Sequence, residues 1–186
     1  MKKNVLVISS SPRAGGNSDT LCDQLIAGCE EAGHAAQKIA LRDKQYGFCR
    51  ACYACRKLGS CVQRDDLTPV FDKMERADVI VLATPVYFYS VCGQLKTLMD
   101  RCLSCAARLK DKEFIFIATA ADGKADMERA MDCLRGFTDC LPGARIRGSI
   151  YGEGAWKIGD IVHQPAMEEA RLLGKNIGQE DALNEW

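Results

Sequence analysis

The sequence predicts an α/β fold: a three-layer, doubly wound, five-stranded parallel sheet with helices on both faces. Two observations predict it. Apolar runs of strand length alternate along the chain with segments of helical periodicity. Several of those runs carry almost no alternating polar residues, the mark of strands buried on both faces. A chain of 186 residues, 47% hydrophobic and 27% charged, is long enough to bury one core, so a single domain spanning 1–186 is expected.

The elements follow in order. Residues 5–8 read as the first strand, four aliphatics in a row, and residues 18–32 as a helix opened by Ser18 near its cap. Residues 34–41 read as the second strand. A cysteine-rich insertion over 46–66 then interrupts the alternation before a helix over 67–76. A third strand over 79–83, a helix over 93–107, a fourth strand over 114–118, a helix over 125–140, a fifth strand over 146–150 and a last helix over 164–177 complete the pattern. Strands of this kind fit the order 2-1-3-4-5, whose ligand crevice lies beyond the carboxyl ends of strands 1 and 3. The loops after Ile8 and Ala83 are therefore the expected seat of the chemistry.

The first of these loops runs Ser9-Ser10-Ser11-Pro12-Arg13-Ala14-Gly15-Gly16-Asn17-Ser18. Gly15 and Gly16 open backbone conformations closed to other residues, Asn17 or Ser18 can cap the helix, and the helix-start amides favour an anion. Ser11, Asn17 and Ser18 add hydrogen-bonding groups and Arg13 a planar fork for phosphate oxygens. The same residues also make an ordinary turn and cap. Neither a Gly-x-Gly-x-x-Gly nor a Gly-x-x-x-x-Gly-Lys-Ser/Thr pattern follows the strand, so a monophosphate ester fits better than a dinucleotide or a nucleoside triphosphate.

The second loop begins Thr84-Pro85-Val86-Tyr87-Phe88-Tyr89 and leads into Gly93-Gln94-Leu95-Lys96. Its aromatics either belong to the core or form an apolar ledge for a flat ring, with amides free for the ring's polar edge. Aromatic side chains in a loop are costly to expose without a partner, which favours the ledge.

Together, Ser11-Pro12-Arg13 with Gly16-Asn17-Ser18, and Thr84 to Phe88 with Gly93-Gln94-Leu95-Lys96 and Asp100-Arg101, resemble the NAD(P)H-dependent FMN reductase family of flavodoxin-like proteins. The resemblance covers about the first two thirds of the chain. It implies FMN, with Ser11, Arg13, Asn17 and Ser18 on the phosphate and Pro85, Val86, Tyr87 and Phe88 along the isoalloxazine. Ser9 and Gly93, at the borders of the two motifs, are counted with them, and the loop over 119–123 is a third contact by position. The family commonly has Gly where this chain has Ser10. The resemblance further implies a homodimer or homotetramer that uses NAD(P)H as a transient co-substrate. The electron acceptor would be a small molecule such as a quinone, free flavin or nitroaromatic. No catalytic side chain is expected, because the flavin carries the chemistry.

Eleven cysteines, an odd number, fit poorly as a disulfide framework, and no signal peptide or membrane span is readable near Met1, which points to a reducing cytoplasm. Cys49, Cys52, Cys55 and Cys61 form Cys-x2-Cys-x2-Cys-x5-Cys. Such compact spacing suits a 4Fe-4S cluster better than zinc, which usually draws on two separated pairs, and free thiols in a flap remain an alternative. The arrangement resembles the iron–sulfur flavoproteins, for which the implied role is an electron carrier taking electrons from ferredoxin through the cluster. Cys22, Cys29, Cys92, Cys102, Cys105, Cys133 and Cys140 mostly fall on helices and read as small buried hydrophobes. His34 and His163 read as structural, Trp156 and Trp186 as packing or interface residues, and Lys96 and Arg101 as supports of their helix or of a subunit contact. The 25 Lys+Arg balance 25 Asp+Glu, so no overall field favours nucleic acid or an anionic membrane.

Overall fold

The computed structural model describes residues 1–179; Trp186 lies outside them. Five parallel strands form the sheet: β1 (Asn4–Ser9), β2 (Ala35–Ala40), β3 (Val79–Tyr87), β5 (Glu113–Thr119) and β6 (Arg145–Gly152). A two-residue strand, β4 (Ser90–Val91), runs antiparallel to β3 alone. The order β2-β1-β3-β5-β6 is the expected 2-1-3-4-5 once that added strand is set aside. The doubly wound reading therefore holds, with six strands where five were expected. β4 escaped the sequence because two residues are too few to show a period.

Alternate residues of each strand feed the two faces. Leu6, Ile8, Ile80, Leu82, Phe114 and Phe116 point to one side, where they pack with α3 (Leu67–Arg76), α4 (Gly93–Arg101) and α5 (Lys124–Asp139). Val5, Val7, Val79, Val81, Ile115 and Ile117 point to the other, against α1 (Asn17–Glu31) and α6 (Ala166–Lys175). α1 and α6 touch backbone to backbone: a Cβ at Gly28 would collide with the Arg171 carbonyl, and one at Gly174 with that of Leu25. Small residues set that spacing.

Several boundaries differ from the sequence reading. The helix expected over 93–107 ends at Arg101 and continues as two 3-10 turns, Cys102–Ser104 and Ala106–Arg108. The last helix is shorter than expected and follows a 3-10 turn, Asp160–His163. The insertion holds a short helix, α2 (Ala54–Leu58), that polar, cysteine-rich composition did not reveal. Cys22, Cys29, Cys92, Cys102 and Cys105 are buried as expected, whereas Cys133 is half-buried and Cys140 is exposed. Burial pushes the Cys29 thiol up to about 12, so it stays protonated and unreactive. His34 is structural: its Nδ1 accepts from the Lys3 amide at 3.1 Å and its Nε2 donates to the Ile177 carbonyl at 2.7 Å. Among the described residues no helix is long and apolar enough to cross a membrane.

Candidate active site

Beyond the carboxyl ends of β1, β3, β5 and β6 lies a cleft of about 590 Å³, within the usual range for a cofactor site. The loop after β1 forms one wall with Ser11, Arg13, Gly16, Asn17 and Ser18. The loop after β3 forms the opposite wall with Pro85, Val86, Tyr87, Phe88 and Tyr89. The two loops singled out in the sequence thus meet across one opening. Thr119, the last residue of β5, and Ala120, Ala121 and Asp122 after it close a third side, as position suggested.

Two expected residues fall outside the cleft. Ser9 is fully buried at the end of β1, of the same parity as Val5 and Val7, so its side chain lies on the α1 face of the sheet, beside Asp19. Gly93, the first residue of α4, borders a separate surface groove with Tyr46 and Phe48. Both adjoin the motifs in sequence, but strand direction turns the first inward and the β3–β4 hairpin carries the second away.

The phosphate-loop candidates hold the loop as well as line it. Ser11 Oγ accepts from the Arg13 amide at 3.2 Å and donates to the Arg13 carbonyl at 3.0 Å, which folds the loop back on itself. A Cβ at Gly16 would lie 2.5 Å from Ser11 Oγ and 3.1 Å from the Arg13 carbonyl, so only glycine permits this turn. Gly16, not Asn17 or Ser18, is the N-cap of α1, and among the described residues no side chain caps the helix. Its first-turn amides therefore lack an intrahelical acceptor, and the positive end of the helix opens at the cleft.

Asn17 and Arg13 reach instead to the loop after β6. Asn17 Nδ2 donates to the Lys157 carbonyl at 2.9 Å, Asn17 Oδ1 accepts from the Gly159 amide at 3.1 Å, and Arg13 donates to the Trp156 carbonyl at 3.2 Å. That loop brings Ala155 and Trp156 into the cleft wall, and α5 brings Asp126. Sequence reasoning missed these contributors. The available signal was positional: the loop after the fifth strand also lies at the carboxyl edge of the sheet.

Beneath the loop, the Asp19 carboxylate accepts from the Gly15 amide at 3.2 Å and pairs with Lys38 and Arg42 at 3.3 and 3.2 Å. Burial pushes its carboxyl up, but the Ser9 hydroxyl, Lys38, Arg42 and the Gly15 amide outweigh it and hold it below the ordinary carboxylate range. Ser9 Oγ faces that carboxylate without a hydrogen bond of normal geometry, so the two cations and the amide dominate. Ser10, where glycine was expected, turns away from the cleft: its hydroxyl donates to the Ala83 carbonyl at 2.6 Å and receives Cys92 Sγ at 3.0 Å.

The aromatic wall is a tight hairpin. Tyr87 pairs with Ser90, and the two turn residues, Phe88 and Tyr89, have φ of 51° and 62°. Left-handed backbone matches the strand twist in a two-residue turn, yet it is costly for bulky side chains. Phe88 is fully exposed at its tip, and Tyr89, also exposed, has the Arg129 guanidinium 5.2 Å from its ring centre.

Cys49, Cys52, Cys55 and Cys61 line one small cavity of about 30 Å³ on a separate flank. Among the described residues no three metal-ligating side chains converge on one point. The donor chemistry fits a cluster nonetheless, because four thiols of one loop share one hollow and Ala51 and Tyr53 turn the chain between them with φ of 50° and 53°. The loop is held from below by Arg101, which is 2% exposed. It bonds both Asp65 carboxylate oxygens, at 2.8 and 3.1 Å, and the carbonyls of Gly47 and Gln63. Its side-chain bonds thus go to the cysteine loop, a role beside the support of its helix or of a subunit contact that the sequence suggested. Lys96, by contrast, pairs with Asp100 one turn along α4 and stays on its helix.

The family model for NADPH-dependent FMN reductase matches residues 3–152. The chain belongs to that oxidoreductase family. The chain is 33% identical to an iron–sulfur flavoprotein of Methanocaldococcus jannaschii over 94% of its own length and 95% of the other's. It is 28% identical to an iron–sulfur flavoprotein of Methanosarcina thermophila over 87% and 83% of the two chains. In fold, the chain resembles an NAD(P)H:quinone oxidoreductase from Methanothermobacter marburgensis, at a TM-score of 0.74, 15% identity and 95% and 97% coverage. It also resembles an FMN-dependent NADH-azoreductase from Bacillus anthracis solved in complex with FMN, at a TM-score of 0.69, 16% identity and 95% and 99% coverage.

Proposed function

We propose that the cleft binds FMN and that the protein passes electrons from a reduced nicotinamide to a small acceptor, a quinone, free flavin or nitroaromatic. One observation carries the reading: an anion-holding loop and an apolar aromatic ledge face each other across a single cleft of cofactor size. The Gly16 cradle and the uncapped start of α1 suit a phosphate, and Ser11, Arg13, Asn17 and Ser18 supply polar groups around it. Pro85, Val86 and Tyr87 shelve the ring, while Phe88, Tyr89 and Trp156 exclude water at the mouth. FMN, when bound, supplies both hydride and single-electron chemistry, so the protein's part is binding, orientation and electrostatics.

The four thiols favour a further feature, a 4Fe-4S cluster held by Cys49, Cys52, Cys55 and Cys61, and with it the role of electron carrier from a ferredoxin-type donor. The names of the archaeal relatives agree with it. Most of the loop is exposed and lightly packed, so it can draw its sulfurs together at small cost. Phe88, Tyr89 and Trp156, exposed beside the opening, suit coverage by a second copy of the chain in a cytoplasmic homodimer or homotetramer.

A visible spectrum of protein purified without oxygen, with FMN and acid-labile sulfide measured on the same sample, tests both parts. The expected result is a flavin spectrum with added broad absorption and sulfide. Folded protein that is colourless and takes up no added FMN overturns the flavin reading, and absence of iron and sulfide overturns the cluster.

A further inference from the structure

Arg101 has five N–H donors, and four bonds account for its two terminal nitrogens: to both oxygens of Asp65, to Gly47 and to Gln63. The remaining donor, Nε, is buried and has no hydrogen-bond partner among the described residues. Buried N–H groups of a charged side chain are almost always bonded, so an orphan of this kind points to a missing acceptor. Arg101 stands in the wall of the thiol cavity, and Cys61 is the sulfur beside its guanidinium.

We propose that Arg101 is a positioning residue for the cysteine loop. Its terminal nitrogens fix the loop base while its free Nε–H is held ready for the sulfur shell at Cys61. The inference rests on the cluster reading above and deepens it. A hydrogen bond and a positive charge at a sulfur ligand stabilise the more negative, reduced form, so Arg101 raises the reduction potential of the loaded loop. Among the described residues the loop is tied as well by Tyr46, which donates to the Gln94 carbonyl at 3.2 Å, by Gln63, which donates to the Phe48 carbonyl at 3.0 Å, and by Arg108, which donates to the Gly59 carbonyl at 2.8 Å. None of these places a charge beside Cys61 as Arg101 does.

The test compares wild type, Arg101→Gln, Arg101→Lys and Asp65→Asn, all purified or reconstituted without oxygen. FMN per chain reports folding, iron and sulfide per chain report loading, and the midpoint of the reduced-cluster EPR signal reports potential in the loaded molecules alone. Both Arg101 variants are expected to keep FMN, to bind iron about 10-fold or more weakly, and to show a more negative midpoint. Arg101→Lys keeps the charge and loses Nε, so it moves the midpoint less. Asp65→Asn loosens the loop base but leaves the guanidinium, so loading falls while the midpoint stays.

An unchanged midpoint in both Arg101 variants overturns the inference and leaves the cluster reading standing. So does an equal shift in Asp65→Asn. Wild type without iron or sulfide overturns the cluster reading and this inference with it.

Discussion

Asn17 and Gly159 are joined by a hydrogen bond of 3.1 Å from the Gly159 amide to Asn17 Oδ1, which fastens the first residue of α1 to the loop after β6. With the 2.9 Å bond from Asn17 Nδ2 to the Lys157 carbonyl, one side chain ties two loops of the cleft into a single wall. Asn17→Ala removes both bonds and a longer one from the Ile161 amide at 3.5 Å, and leaves backbone groups of that segment unpaired, at a cost of about 1–3 kcal/mol. The melting temperature is expected to fall by about 2–4 °C per kcal/mol for a chain of this length. FMN affinity should fall with it, and a thermal melt with a flavin titration checks both; no change in either would remove Asn17 from the wall.

Arg13 is the cleft's exposed cation, held by one bond to the Trp156 carbonyl. Arg13→Ala is expected to weaken FMN binding about tenfold through loss of a charge-assisted contact, with little effect on the melt of the flavin-free protein. Fluorescence titration at two salt concentrations is the measurement, since the wild-type advantage should shrink as salt rises.

At Gly16 the obstacle is steric. An alanine Cβ would meet Ser11 Oγ at 2.5 Å, so Gly16→Ala must displace the Ser11–Arg13 turn. Overpacking of this kind costs about 1–3 kcal/mol, and here it falls on the loop, so loss of FMN affinity should exceed loss of stability. The reverse order would mean that the turn is structural only.

Acid should loosen the same loop from below. The Asp19 carboxyl is held below its ordinary value, so the folded state binds its proton less readily than the unfolded chain. The stabilisation is therefore fully present above the unfolded value of about 3.9 and is lost as pH falls through the lowered folded value. Melting temperature and FMN retention are expected to stay level from neutrality to about pH 5 and to decline below about pH 4. Asp19→Asn should be less stable at neutral pH and show a flatter acid limb. An unchanged acid limb would show that another group controls it.

Phe88 offers a gain rather than a loss. Its φ of 51° places a bulky side chain in left-handed backbone, with its ring fully exposed. Phe88→Gly is expected to raise the stability of the isolated chain by about 1 kcal/mol. It should also weaken flavin binding or self-association, and size-exclusion chromatography with a melt measures both. A destabilised variant would show that Phe88 packs in solution.

The strand order, the two cleft loops and the buried helix cysteines were legible in the sequence because each is written in short range. A run such as Val5 to Ile8 fixes its own burial, and Gly15-Gly16-Asn17-Ser18 carries its turn chemistry in neighbouring residues. What only the tertiary structure decided depends on partners far along the chain. Asn17 meets Gly159 across 142 positions and Arg101 meets Asp65 across 36. Ser9 is turned toward α1 by the pleat, while Trp156 reaches the cleft because the fifth parallel strand ends at the same edge. Local periodicity determines which face of an element is apolar; which polar side chain closes which loop is set by the packing of those faces, and no local pattern records it.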